Sequence, residues 1–296
     1  MTDEAVELVE LERRLLGDVW TSPALWESVG YLCDACNGRF AGTDDERRAG
    51  DFLLERFREI GAENVTAETF EMNGWQRGDA RLALLDSWGA AARDLPCLAL
   101  PGSPAGRVEA EVVDGGPGTA ADFERLGDAV AGKVVLADDT GPHRLEKYAR
   151  SQMNGAVAFI FARTKPGMLA LTGSLSLGKK PVSLPGIGVS LETASLVRRQ
   201  MDEGSARVRV AVEGESRVVL ARNILAELPG SDPDAGWIVA CGHYDGHDIA
   251  QGAQDNATGT AVVLETARVL APVRSHFKAG LRFILFSGEE FGVLGS

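Results

Sequence analysis

The sequence has 296 residues, of which 45% are hydrophobic and 25% are charged, and its formal net charge is −13. A chain of this length can bury a core and hold more than one module. The acidic balance, without any basic run, argues against nucleic acids and anionic membranes as partners. No apolar run approaches the ~20 residues that span a bilayer. Because the acidic segment Met1–Glu7 does not resemble a secretory signal, we expect a cytoplasmic protein.

Three helices are predicted in the first 61 residues. Apolar residues at helical spacing predict the first over residues 3–16, and Ser22-Pro23 is typical of the start of a second that runs to about Cys36. Thr43 is expected to cap the third, with Glu46 completing a capping box and Gly61 ending the helix.

The middle of the chain has the pattern of an inserted module. Residues 65–85 predict β-structure with a break at Asn73-Gly74, and from about Trp88 short apolar runs alternate with Gly- and Pro-rich turns. The predicted strands are 110–113, 132–137, 156–161, 186–189 and 207–212, and the predicted helices are 119–126, 144–154 and 191–203. This pattern favours a compact α+β module inserted into another domain, with segments 1–87, 88–216 and 217–296.

After Arg217 the first domain resumes as an α/β unit. Residues 222–228 predict a strand, Trp237–Cys241 a buried strand, Thr258–Leu270 a helix and Leu281–Phe286 a further strand. Strand–helix–strand at this spacing predicts a parallel pair with a right-handed crossover. In such sheets, sites form at the carboxyl ends of the strands. The predicted fold class is therefore α/β, with a mixed sheet, helices on both faces and the inserted α+β module.

Polar side chains follow the Trp237–Cys241 strand. His243 and Asp245 lie two positions apart, so they can share one face at the strand end. A metal-bound imidazole usually gives its second N–H to a carboxylate, a role that suits Asp245. Asp255 follows twelve positions after His243, directly before the predicted helix, and its two oxygens could bridge two metal ions.

Glu289 and Glu290 follow the next strand and would repel each other without a cation or proton between them. We expect one to bind a metal and the other to act as general base. Each feature alone has an ordinary explanation: a satisfied histidine, a solvated Glu pair, or a helix N-cap at Asp255-Asn256. Their order on one strand–helix–strand unit favours a metal site. His247 and Asp248 lie nearby in the sequence. We expect them to contact the metal ligands from outside or to face the substrate, and His247 is a less favoured candidate for a ligand.

The cysteine pair Cys33 and Cys36 has no second CxxC pair, which argues against a zinc ribbon. Because the pair lies within or at the end of a helical stretch, we expect reduced structural thiols.

Three segments carry a resemblance to a known family: Gly242-His243-Tyr244-Asp245, Gly252 to Asn256, and Ser287 to Gly292. They resemble the co-catalytic zinc aminopeptidases, a family that includes carboxypeptidase Q and glutamate carboxypeptidases and has a phosphorylase/hydrolase-like fold. Residues 38–43 are similar to its amino-terminal segment, and the inserted module resembles a protease-associated (PA) domain.

The resemblance implies hydrolysis of a peptide or aminoacyl substrate at a chain end, with two zinc ions. His243 would bind the first ion, Asp255 would bridge both and Glu290 would bind the second. Glu289 would be the general base, and Asp245 would orient His243. The family supplies one further Asp and one further His from later segments. We therefore expect this chain to be a fragment that binds zinc weakly and is nearly inactive.

Two alternatives stay open at this point. One is a related zinc deacylase or carboxypeptidase, although the twelve-residue gap between His243 and Asp255 favours the aminopeptidase type. The other is a receptor-like or scaffolding protein of the same architecture without metals. The sequence also leaves open whether the chain forms a homo-oligomer.

Overall fold

The computed structural model of this protein describes residues 3–85, 92–175 and 182–296. The backbone forms two compact units, one from Met1–Met72 with Val219–Ser296 and the other from Asn73–Val218. In sequence, the second unit is inserted between the two parts of the first. The predicted boundary between residues 87 and 88 lies outside the described residues. The predicted boundary at 216/217 falls within a strand that spans Glu215–Leu228.

The helices and strands are numbered in chain order. The helices are α1 Asp3–Thr21, α2 Ala24–Gly30, α3 Asp44–Glu59, α4 Ala120–Leu126, α5 Arg144–Met153, α6 Leu191–Asp202 and α7 Thr258–Leu270. The strands are β1 Glu63–Gln76, β2 Ala80–Leu85, β3 Arg93–Leu95, β4 Leu98–Ala99, β5 Gly106–Gly116, β6 Val134–Asp138, β7 Ala158–Ala162, β8 Gly186–Val189, β9 Arg207–Val212, β10 Glu215–Leu228, β11 Trp237–His243 and β12 Gly280–Phe286. Short π-helical turns cover Tyr31–Ala35 and Ala253–Ala257.

A four-stranded sheet in the order β1-β10-β12-β11 positions the candidate site. β12 pairs antiparallel with β10 and parallel with β11, and the latter register aligns His243 with Phe286. α7 connects β11 to β12, as predicted for a parallel pair with a helical crossover. The residues that follow β11 and β12 therefore emerge at the same edge of the sheet.

One apolar core joins the helices of this unit to the sheet. α3 buries Ala49, Leu53 and Phe57, and the Phe57 ring lies 6.0 Å from that of Phe283 on β12. Cys33 and Cys36 belong to this core as free thiols, and burial raises the pKa of Cys36 to about 11. Both findings fit the structural role expected for these cysteines.

The inserted unit contains an eight-stranded sheet in the order β3-β2-β9-β5-β6-β7-β8-β4. Its centre is parallel from β5 to β8, and the remaining neighbours pair antiparallel. All five predicted strands and all three predicted helices of this region form. The α/β fold class with a mixed sheet and an inserted α+β module is confirmed.

Three local predictions are wrong. The Asn73-Gly74 pair lies within β1, and the break falls at residues 77–79 instead. β11 is exposed along Trp237–Val239, because it is an edge strand in the described part of the sheet. Thr43 does accept the main-chain N–H of Glu46, but the Glu46 side chain turns inward to the Tyr244 hydroxyl, so the reciprocal half of the capping box does not form.

No helix among residues 3–85, 92–175 and 182–296 is both long and apolar enough to cross a membrane.

Candidate metal and catalytic site

The His243 side chain stands at the centre of a group of carboxylates. Its Nε2 atom lies 3.1 Å from Asp255 Oδ1 and 3.9 Å from Glu289 Oε2. Its main-chain carbonyl accepts hydrogen bonds from the Thr260 hydroxyl (2.8 Å) and the Asn256 side-chain amide (3.1 Å). The start of α7 therefore fixes the end of β11 and brings His243 and Asp255 together.

The Asp245 side chain is fully buried and faces the other nitrogen of His243. Asp245 Oδ1 lies 3.4 Å from His243 Nδ1, and the Asp245 carbonyl lies 3.2 Å from the same atom. Burial by itself lowers the pKa of His243, but the hydrogen bond to Asp245 and the surrounding carboxylates outweigh it and raise this pKa to about 9. The geometry is the one expected of a carboxylate that orients an imidazole.

Asp245 also holds the main chain of the two glutamates. Its carboxylate oxygens accept the N–H groups of Glu289 (3.3 Å) and Glu290 (3.2 Å). Sequence reasoning assigned Asp245 only to His243. The second role requires β11 and β12 to be neighbours. The sequence pattern predicted this pairing, but it did not predict the contact of Asp245 with the main chain after β12.

The two glutamate side chains point to different partners. Glu289 is 41% exposed and faces His243, whereas Glu290 is 10% exposed and places Oε2 2.9 Å from His247 Nε2. Burial raises the pKa of Glu289, which nearby Asp245, Asp255 and Glu290 raise further and the His243 charge lowers. A division of labour within the pair was predicted, but the contact between His247 and Glu290 was not.

An aromatic ring packs against the His247 imidazole. The Phe40 ring stacks on His247 at 6.0 Å and meets the Phe291 ring edge-on at 5.4 Å. His247 Nδ1 is buried and has no hydrogen-bond partner among the described residues. In the sequence, only the proximity of His247 to His243 pointed to this placement. A histidine on the surface could show the same proximity.

The possible zinc ligands lie in pairs whose separations suit a shared zinc ion. Imidazole nitrogen and carboxylate oxygen are zinc ligands, and two such atoms on one tetrahedral ion lie about 3.3 Å apart, given bonds of ~2.0–2.1 Å. The pairs His243–Asp255 and His247–Glu290 come close to this separation, at 3.1 and 2.9 Å. Within the described ranges, no group of three or more His, Cys, Asp or Glu side chains is arranged to hold a metal ion.

Two segments of the chain match known families. Residues 223–296 match peptidase family M28, and residues 108–197 match the PA domain. The resemblance drawn from the sequence motifs is confirmed by these two matches.

Curated and solved proteins are similar to the chain over most of its length. The chain is 28% identical to aminopeptidase YwaD of Bacillus subtilis (99% of this chain, 60% of that protein) and 23% identical to mouse carboxypeptidase Q (92% and 60%). It is 25% identical to a solved structure of a zinc aminopeptidase from B. subtilis, with a TM-score of 0.72 over 92% of this chain and 63% of that one. The chain thus spans about 60% of the length of the curated relatives.

Proposed function

Because the chain combines a segment of peptidase family M28 with a PA domain, we propose that it is a zinc-dependent exopeptidase of the aminopeptidase type. The substrate class is a peptide or aminoacyl compound, cleaved at a terminal peptide bond. The observation that carries the proposal is the meeting of His243, Asp255 and Glu289 at the carboxyl ends of two parallel strands. The aminopeptidase direction is preferred because two of the relatives above bear that name.

The residues that would hold zinc are His243, Asp255 and Glu290. In this proposal His243 and Asp255 would hold one ion, and Asp255 and Glu290 would hold a second. Zinc, when bound, polarises the scissile carbonyl and lowers the pKa of water.

The side chains around the metal position have separate tasks. Asp245 holds the imidazole of His243 in one orientation and fixes the main chain that carries both glutamates. Glu289 is free to act as general base, because it is partly exposed and no hydrogen bond to its carboxylate is found among the described residues. Its carboxylate would take the proton from the attacking water and pass it to the leaving amine.

We expect the 296-residue chain to bind zinc weakly and to turn over slowly. Catalytic zinc usually has three protein ligands and a water. Among the described residues, the possible zinc ligands lie together in pairs, and no group of three or more is arranged to hold a metal ion. The two-ion stoichiometry is part of the proposal and can be measured by isothermal titration with Zn²⁺.

The decisive experiment compares the wild-type chain with Glu289→Gln on a panel of aminoacyl and carboxy-terminal substrates, with and without added zinc. We expect slow zinc-dependent cleavage at one chain end, and a loss of about 10²–10⁴-fold in Glu289→Gln with zinc affinity unchanged. Undiminished cleavage in the presence of a strong chelator would contradict the proposal. So would an unchanged rate in Glu289→Gln.

A second candidate is a receptor-like or scaffolding protein that does not use metal. One observation favours it, namely that the described residues lack a three-donor group. The titration separates the two functions, because a scaffold of this kind would bind no zinc.

A further inference from the structure

The side chain of Arg39 is fully buried beside the candidate site. In the described part of the chain, its guanidinium lies within hydrogen-bond distance of five main-chain carbonyl oxygens, three of which share the two hydrogens of Nη1. The acceptors are Tyr244 (3.0 Å), Gln251 (2.7 Å), Gly252 (3.0 Å), Leu32 (2.7 Å) and Asn37 (3.1 Å). These contacts organise the backbone around the Arg39 side chain.

Three of these acceptors bracket one segment, the loop 244–252 between His243 and Asp255. Tyr244 lies at its beginning, and Gln251 and Gly252 lie at its end. Asp245 and His247 lie inside this loop. One planar group therefore ties both ends of the segment that carries these two side chains.

The main chain of Arg39 and the adjacent residue Phe40 contact the same loop. The Arg39 carbonyl accepts the Gly246 N–H at 3.2 Å, and the Phe40 ring stacks on His247. Gly252 has a φ of +60°, and a Cβ there would lie 2.7 Å from Arg39 Nη2. The loop thus approaches the guanidinium more closely than a side chain would allow.

A buried cation is costly unless its donors are satisfied. Arginine meets this condition because its rigid fork presents five N–H donors in one plane, whereas lysine offers three donors from a single point. The Arg39 site uses this property by reaching acceptors on two sides, in the segment 32–37 and in the loop 244–252.

We propose that Arg39 is a positioning residue that fixes the loop 244–252 and so holds Asp245 and His247 against Glu289 and Glu290. The loop-fixing part stands on the hydrogen bonds alone. The consequence for metal binding rests on the proposed function.

The test compares Arg39→Lys, which keeps the charge, with Arg39→Met, which keeps the length. The control is Arg268→Lys in the same unit, because Arg268 pairs with Glu265 and Asp18 instead of holding the loop. Hydrogen exchange of main-chain amides is measured on the full metal-free chain, and Zn²⁺ affinity is measured by competition with a chromogenic chelator.

We expect exchange in 244–252 to be at least about tenfold faster in both Arg39 variants, with β10 and β12 unchanged, and zinc affinity to fall about 10–100-fold. Arg268→Lys should match the wild type in both measurements. The proposal is overturned if Arg39→Lys behaves as wild type, or if faster exchange spreads equally through β10 and β12. If the wild type binds no zinc, the proposed function fails, while the exchange data still decide the role of Arg39.

Discussion

The buried carboxylate of Asp245 accepts the main-chain N–H of Glu290 at 3.2 Å, across 45 residues of sequence. The same carboxylate lies 3.4 Å from His243 Nδ1. One side chain therefore couples the orientation of an imidazole at the end of β11 to the backbone at the end of β12. This coupling explains how a parallel strand pair can bring groups from two loops into one site.

Asp245→Asn should damage both functions of this carboxylate, because one acceptor oxygen becomes an NH₂ donor beside main-chain N–H groups. We expect the free energy of unfolding to fall by about 1–3 kcal/mol. Zinc affinity should fall about 10–100-fold. Urea unfolding and zinc titration provide the two measurements. Asp234→Asn, at an exposed position, is the control and should change neither quantity.

Glu46 should make stability depend on pH. Burial raises the pKa of Glu46 above its ordinary value, while the hydrogen bond from Tyr244 and the charge of Arg222 only partly oppose this. A raised folded-state pKa means that stability is full below the unfolded pKa and is lost as pH rises through the folded one. Glu46→Gln removes this loss, so its stability relative to wild type should increase from about pH 4 upward.

Unfolding of Glu46→Gln in urea at several pH values measures this effect. The exposed residue Glu68 supplies the control variant Glu68→Gln, which should run parallel to the wild type. A constant difference between Glu46→Gln and wild type across this pH range would contradict the prediction.

Tyr244→Phe should destabilise the chain through the same contact. Its hydroxyl contacts the Glu46 carboxylate and lies 2.8 Å from the Arg222 carbonyl, and the side chain is fully buried. Removing it leaves buried acceptors unpaired, at a cost of about 1–3 kcal/mol. In a double-mutant cycle with Glu46→Gln, urea unfolding should give a coupling of about 0.5–3 kcal/mol. Additive losses would show that the contact contributes nothing to stability.

Gly38 is expected to tolerate no side chain, because a Cβ there would lie 2.4 Å from the His247 carbonyl oxygen. Gly38→Ala should lower the free energy of unfolding by about 1–3 kcal/mol and weaken zinc binding by displacing the loop. In Gly17→Ala, the new Cβ would meet nothing within 4 Å, and the helix should gain about 0.5–1 kcal/mol. Thermal unfolding of both variants tests the contrast, which fails if the two behave alike.

His247→Gln tests whether the contact with Glu290 matters for metal binding. If His247 Nε2 is a zinc ligand or holds Glu290 in place, this substitution should lower zinc affinity by about tenfold or more. His276→Gln changes an exposed histidine and should leave zinc affinity unchanged. Equal affinity in both variants would assign His247 a packing role only.

Local patterns predicted the secondary structure well because each depends on near neighbours. α7 occupies the predicted residues Thr258–Leu270, and Thr43 begins α3 as an N-cap. The Glu46 capping contact failed because a buried tyrosine distant in sequence, at the beginning of the loop 244–252, provides a competing partner. Likewise, the apolar residues of β11 suggested burial, but strand order decides burial, and β11 is at an edge of the described sheet.

The sequence by itself determined the α/β class, the inserted module and the residue types of the candidate metal site, because periodicity and motif order are local. Only the tertiary structure decided that Glu290 meets His247, that Asp245 accepts the main-chain N–H groups of Glu289 and Glu290, and that Arg39 reaches the loop 244–252. These contacts join residues that lie far apart in the sequence. Their geometry depends on which strands pair and how loops pack, and composition and spacing do not encode that directly.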